Sequence, residues 1–164
     1  MLGCTGAVAL LRRAMLSDVA VESQVLDERI FAYYDDLDLA WRAALRGWTC
    51  QYEPSLVAVH ARAARNAIRS LPGRPTGRRD RVLSVRNRLL VMARCDRARD
   101  VLAALPWLAP FEIARIIYLA VKAPHALRAY AEVTRELSDA FRCRRIILGS
   151  RSTAVMPPLP WRVR

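Results

Sequence analysis

From Phe31 to Trp48 the chain reads Phe-Ala-Tyr-Tyr-Asp-Asp-Leu-Asp-Leu-Ala-Trp-Arg-Ala-Ala-Leu-Arg-Gly-Trp, and this pattern allows one local structure. Leu37, Trp41, Ala44 and Trp48 recur at three- and four-residue spacing, so they line one face of a helix. Asp35, Asp36 and Asp38 open that helix, and Arg42 and Arg46 close it, which suits the helix dipole at both ends. Gly47 predicts the stop, because glycine enters the left-handed region without a Cβ clash. The acid cluster has two readings. Asp35 is a helix N-cap with the other acids favouring the dipole, or one carboxylate is held at a pocket edge as a general base or beside a metal.

Around this helix the spacing predicts further elements. Residues 5–11 read as a buried strand after a glycine turn, and Arg12 to about Val19 as a short helix. Thr49–Tyr52 and Leu56–His60 read as two short strands broken at Glu53-Pro54-Ser55. Strands and helices alternating over the first 60 residues predict an α/β fragment. Residues 61–80, with Leu71-Pro-Gly-Arg-Pro-Thr-Gly-Arg-Arg, read as a basic flexible loop and a domain boundary. Residues 81–150 read as amphipathic helices, and 151–164, with three prolines in Met156–Pro160, as a loose tail. The apolar stretch Val101–Ala123 has the length of a bilayer crossing. Glu112, Arg115, Lys122 and two prolines within it favour a helix lying in the interface or an ordinary helical core.

Charge divides the chain. Residues 1–60 carry 5 arginines against 8 acids; residues 61–164 carry 22 basic residues against 7 acids, within an overall charge of +12. That asymmetry suggests two jobs and admits an anionic membrane surface as a partner for the second part. Nucleic acid is disfavoured, because the arginines are interleaved with long apolar runs and no reading helix or aromatic platform is evident. Cys4, Cys50, Cys95 and Cys143 fall at no metal-ligand spacing and read as reduced thiols. Leu2–Gly6 lacks a charged leader, so a cytoplasmic chain is expected, peripheral to the inner face of the plasma membrane.

Several motifs stand in a fixed order: Gly6 before an apolar run and Arg12-Arg13, Asp27-Glu28-Arg29 before the aromatics, Asp35-Asp36-Leu37-Asp38, the Gly47-Trp48 turn, Pro54-Ser55, His60, and Ser84-Val-Arg-Asn-Arg-Leu-Leu-Val. Together they resemble the acceptor-side half of a family 2 glycosyltransferase of the rhamnosyltransferase-like kind, well over about residues 3–60 and loosely beyond. In place of that family's compact Gly-rich turn, this chain has Val-Ala-Val-Glu-Ser-Gln-Val ending at Val25.

The resemblance implies a partial GT-A-type (Rossmann-like) α/β fragment followed by a basic, mostly helical region, with the donor-binding half outside this sequence. It implies an inverting, nucleotide-sugar-dependent transferase of bacterial envelope polysaccharide or glycolipid synthesis, acting on a sugar or lipid-linked acceptor. Asp36 would be the catalytic base, and Asp35 and Asp38 would order the helix start and bond acceptor or backbone. Tyr33 and Tyr34 would line the sugar site or pack into the core. His60 would help hold Mg²⁺ or Mn²⁺ on the leaving diphosphate, with most ligands supplied by the other half. Arg62 and Arg65 would close over the diphosphate, or remain a solvated basic loop. The alternative is a basic helical module that binds nucleic acid or membrane without catalysis.

Overall fold

The computed structural model describes residues 3, 6, 8–59 and 77–149. The expected 151–164 tail and most of the expected 61–80 loop lie outside the described residues. Among the described residues five helices follow in order: α1 Arg13–Val19, α2 Asp35–Leu45, α3 Arg78–Cys95, α4 Ala98–Lys122 and α5 Arg128–Gly149, with a 3₁₀ turn Pro124–Leu127 before α5.

The spine is the pair α3 and α5. Contacts advance together along both helices. Arg86 meets Glu132 and Glu136, Leu90 shares a cluster with Val133 and Ala140, and Arg144 donates to the Ala93 carbonyl at 3.0 Å. The two helices therefore run parallel. A parallel pair needs a long return, and α4 supplies it, running back so that Arg88 pairs with Glu112 and Leu119 packs with Val82 and Val85.

Helix α2 sits against the far end of that pair. Trp41 and Leu45 pack with Val91 and Cys95 of α3 and with Cys143 and Ile147 of α5. Residues on both sides of the expected boundary thus share one apolar cluster. The end of α2 follows from Gly47, at φ 83°. Its N–H bonds the Ala44 carbonyl and the Trp48 N–H bonds that of Ala43, both at 3.0 Å, which satisfies carbonyls a helix end would orphan.

The α/β expectation is not met: among the described residues there is no strand, and an isolated bridge between Val21 and Gln24 stands in place of a sheet. Over the described residues, helices joined by extended connections stand where a partial Rossmann-like fragment is expected. The physical reason is pairing. A strand requires a neighbour to take its N–H and C=O groups. Among the described residues, the segments expected as strands have no such neighbour, and several of their apolar residues stand in solvent: Leu10 is 85% exposed, Val57 88% and Val59 96%. The helices close their backbone hydrogen bonds locally and need no partner strand.

Asp96 joins α3 to α4. It is buried, and its Oδ1 has no hydrogen-bond partner. Burial first, and then the nearby Asp100 charge, push its pKa up to about 7 against the pull of Arg144. An acid whose folded pKa lies above its unfolded value favours the fold below the unfolded value, and that advantage is lost as pH rises through the folded one. From this group, stability is expected to fall between about pH 4 and pH 7 by at most about 1.4 kcal/mol per pH unit. Urea midpoints of the native chain and of Asp96→Asn across that window check it. The variant's profile is expected to lack this decline, and parallel profiles would show Asp96 ionised in the fold.

Candidate functional site

The acid cluster is positioned by the loop before it. Phe31, Tyr33 and Tyr34 all have positive φ, at 55°, 69° and 68°, a region costly for residues with a Cβ. Helix α3 holds them there. The Asn87 side chain, fully buried, donates from Nδ2 to the carbonyls of Ile30 at 2.7 Å, Ala32 at 2.8 Å and Tyr33 at 3.0 Å. Beside it, Arg86 donates to the Arg29 carbonyl at 2.8 Å and to Asn87 Oδ1 at 3.0 Å, and grips both oxygens of Glu136 at 3.0 and 2.8 Å. Here the Arg-Asn-Arg run of α3 meets the aromatic run ahead of α2.

Helix α2 then begins at Asp35, with left-handed Tyr34 as N-cap and no side-chain cap. Asp35 is not the N-cap: it lies in the first turn with Asp36 and Asp38, where all three favour the dipole. Consecutive helical residues turn by about 100°, so Asp36 and Asp38 point to opposite sides. Asp36 is half-exposed. Its Oδ1 accepts the Leu37 N–H at 2.8 Å and its Oδ2 the Gly6 N–H at 3.1 Å. Gly3 also lies close against this helix: a Cβ there would come within 2.2 Å of Ala40 Cβ. Asp35, Tyr33 and Tyr34 are also half-buried, and Tyr34 packs against the cluster holding Ile30 and Trp41.

Asp38 has a different setting. Its side chain is 1% exposed and Arg42's is 2% exposed. Arg42 donates from Nε to Asp38 Oδ2 at 2.9 Å, and from its other nitrogens to the carbonyls of Val19 and Val25. Arg94 of α3 lies 2.7 Å from Asp27 Oδ2 and 3.8 Å from Asp38 Oδ1. Arg29 adds a bidentate pair to Asp27 at 2.8 and 2.7 Å. Burial works to raise the Asp27 pKa, but the Arg29 hydrogen bonds and the Arg94 and Arg29 charges outweigh it and hold it below the usual range. This buried array of alternating charge anchors α1, α2 and α3 to one another. Sequence reading missed Asp27 and Arg94; the four-residue spacing of Asp38 and Arg42 was its available signal.

A cavity of about 10 Å³ adjoins the array, lined by Asp27, Arg29, Arg94, Glu136, Asp139 and Cys143 among others. It suits one water and excludes a sugar. Cys95 and Cys143 are buried free thiols. Burial and the neighbouring Asp38 charge push the Cys95 pKa up, which keeps that thiol unreactive. His60, Arg62 and Arg65 lie outside the described residues. Among the described residues, no group of three His, Cys, Asp or Glu side chains is placed to hold a metal. Asp27 and Asp38 are already committed to arginines, so Asp35 and Asp36 are the carboxylates of the cluster left to face a ligand.

Compared with family models, with curated proteins and with solved structures, the chain matches none.

Proposed function

We propose that this chain supplies the acceptor-side, proton-accepting part of an inverting sugar transferase that uses nucleotide-sugar donors in bacterial envelope polysaccharide or glycolipid synthesis. The observation that carries the reading is the contrast within one helical turn: Asp38 is sealed in a buried ion pair, whereas Asp36 is half-exposed with both oxygens oriented by backbone N–H groups. A carboxylate fixed at a surface is what a general base requires. Asp36 takes the proton of the acceptor hydroxyl as that oxygen bonds to the anomeric carbon. The bond to the diphosphate breaks on the opposite side, and the anomeric centre inverts. Asp35 adds negative charge beside the base, and Tyr33 and Tyr34 border it. His60 with a divalent ion, and Arg62 and Arg65, belong to the leaving-group side of the same reading. The ion would neutralise the diphosphate as a Lewis acid.

The alternative, a nucleic-acid-binding module, has less support, because Arg29, Arg42, Arg86, Arg88 and Arg94 are engaged with acids. The test uses membranes of cells that encode the chain, with codon 36 changed from Asp to Asn. Transfer of labelled sugar from a panel of nucleoside diphosphate sugars is expected to lose one activity while the protein persists at its normal level. Retention of every activity overturns the proposal.

A further inference from the structure

Helix α4 is inverted relative to a helix of a soluble protein. Between Leu102 and Val121 the residues turned toward the body are Ala104, Leu108, Glu112, Arg115 and Leu119. Both charged residues of that stretch, Glu112 and Arg115, are therefore on the inner row. Glu112 is tied down there. It pairs with Arg88 of α3 and accepts a hydrogen bond from Tyr130 of α5 at 2.6 Å. Burial, and then that Glu112 bond, push the Tyr130 pKa up to about 12, so the phenol keeps its proton.

Every residue on the outer side of the stretch is Ala, Leu, Ile, Val, Pro, Phe, Tyr or Trp. Trp107 is 82% exposed and Val121 71%, with Leu102, Ile113, Ile117 and Tyr118 near 60%. An amphipathic surface helix ordinarily turns its apolar stripe to the core and its charges to water. This one does the reverse over about 30 Å of its length, a longer continuous apolar strip than soluble monomers usually leave uncovered.

Charge identifies what covers it. The apolar strip is flanked by cations: Arg99, 74% exposed and in a loose 3.9 Å pair with Asp100, at its start, and at its end exposed Lys122 and Arg128, the latter 61% exposed and 3.6 Å from Glu132. Arg78 and Arg81 lie near the same end, close enough to His125 of the 3₁₀ turn to lower its pKa alongside the larger effect of desolvation. An apolar strip between cationic ends matches the two layers of an anionic bilayer, acyl chains and phosphate headgroups.

Length and hydropathy alone would also permit a crossing. Two features oppose it. The inner row binds α4 to the arginine-bearing helices α3 and α5 through Arg88 and Tyr130, and a crossing would carry those groups into hydrocarbon. Pro106 and Pro110 also deprive the carbonyls of Leu102 and Pro106 of their usual helical N–H donors, which is tolerable at headgroup depth and costly among acyl chains.

We propose that α4 is a membrane-docking helix, lying in the plane of an anionic bilayer with its outer face among the upper acyl carbons and the flanking cations at the phosphates. The proposal is independent of the sugar-transfer reading, and its test contains no sugar. The full chain is sedimented with vesicles of mixed phosphatidylglycerol and phosphatidylcholine, and with phosphatidylcholine alone. Partition is expected into the anionic vesicles and to weaken as salt is raised. Ile113→Glu/Ile117→Glu, at exposed sites, is expected to weaken it at least about tenfold with unchanged circular dichroism. Brominated lipids are expected to quench Trp107, read as the difference from Trp107→Phe, best when the bromines lie near the headgroup. Absence of partition by the native chain, or equal partition by the double variant, overturns membrane docking. Maximal quenching from mid-bilayer bromines overturns the in-plane arrangement in favour of a crossing. A dimer in solution that the double variant splits, with no vesicle binding, assigns the strip to a second copy instead.

Discussion

Asp38→Asn is expected to lower the free energy of unfolding by about 3–5 kcal/mol, whereas the same change two residues earlier, at Asp36, is expected to stay within about 1 kcal/mol of the native chain. The two side chains have the same chemistry and share one helical turn; their surroundings differ. Asp38 is sealed against Arg42, which lies 2.8 Å from its Oδ2, and against Arg94 at 3.8 Å. Asparagine keeps the shape and removes the charge, leaving the buried Arg42 with neutral acceptors only and Arg94 with Asp27 as its remaining carboxylate. Removing one member of a buried charge set costs more than the set contributes as a whole, because the remaining charges stay desolvated. At Asp36 the single amide oxygen of asparagine can still accept one of the two N–H groups, that of Leu37 or that of Gly6, and what is lost is one hydrogen bond and a dipole interaction near water. Function is expected to divide the other way: transfer falls by about a hundredfold or more in Asp36→Asn, the usual contribution of a positioned base. Urea unfolding of both variants, beside the membrane transfer assay, reads the two effects separately. A midpoint shift worth less than about 1 kcal/mol in Asp38→Asn would mean water reaches the array and the charges are not desolvated.

The helices were the legible part of the sequence, because each carries its own signal. The spacing of Leu37, Trp41 and Ala44 placed α2, and Gly47 placed its end. Val82, Val85 and Leu89 recur at helical spacing and mark α3, which begins at Arg78, three residues before the helical stretch expected from residue 81. Strands gave no comparable security. A short apolar run such as Leu56–Val59 describes a residue that wants cover, not what covers it, and pairing is a property of two segments. Of the candidate site, the position of the acids at the start of a helix could be read directly. Which acid is buried could not, since that depends on Arg94, on a helix remote in sequence. The i,i+4 pair Asp38 and Arg42, next to Trp41 and Leu45, was the local clue that Asp38 faces inward. In α4, the seven-residue step puts Glu112 on the same side as Leu119, but nearly every neighbour has an apolar residue at that step too, so which side is buried shows only in the fold.

Asn87→Ala is expected to cost about 2–4 kcal/mol through hydrogen bonds that no neighbour can replace. One buried carboxamide serves three carbonyls, those of Ile30, Ala32 and Tyr33, and alanine leaves all three without that donor. The loop they belong to gains nothing by staying as it is, because Phe31, Tyr33 and Tyr34 occupy left-handed conformations that non-glycine residues avoid. The consequence reaches the acid cluster. The Tyr34 carbonyl accepts the Asp38 N–H at 2.8 Å as the first bond of α2, so relaxation of Tyr34 loosens the turn that carries Asp35 and Asp36. Arg86 still holds the Arg29 carbonyl, which confines the opening to the residues after it. Amide hydrogen exchange is therefore expected to rise from Ala32 through Leu37 and to change little in α5, together with the lowered urea midpoint. Asn87→Asp sharpens the test: it replaces the donors by an acceptor facing the same carbonyls, and it is expected to destabilise at least as much as alanine. If aspartate were tolerated while alanine was not, the carboxamide would be acting by filling space, and its role in setting the backbone ahead of α2 would fall.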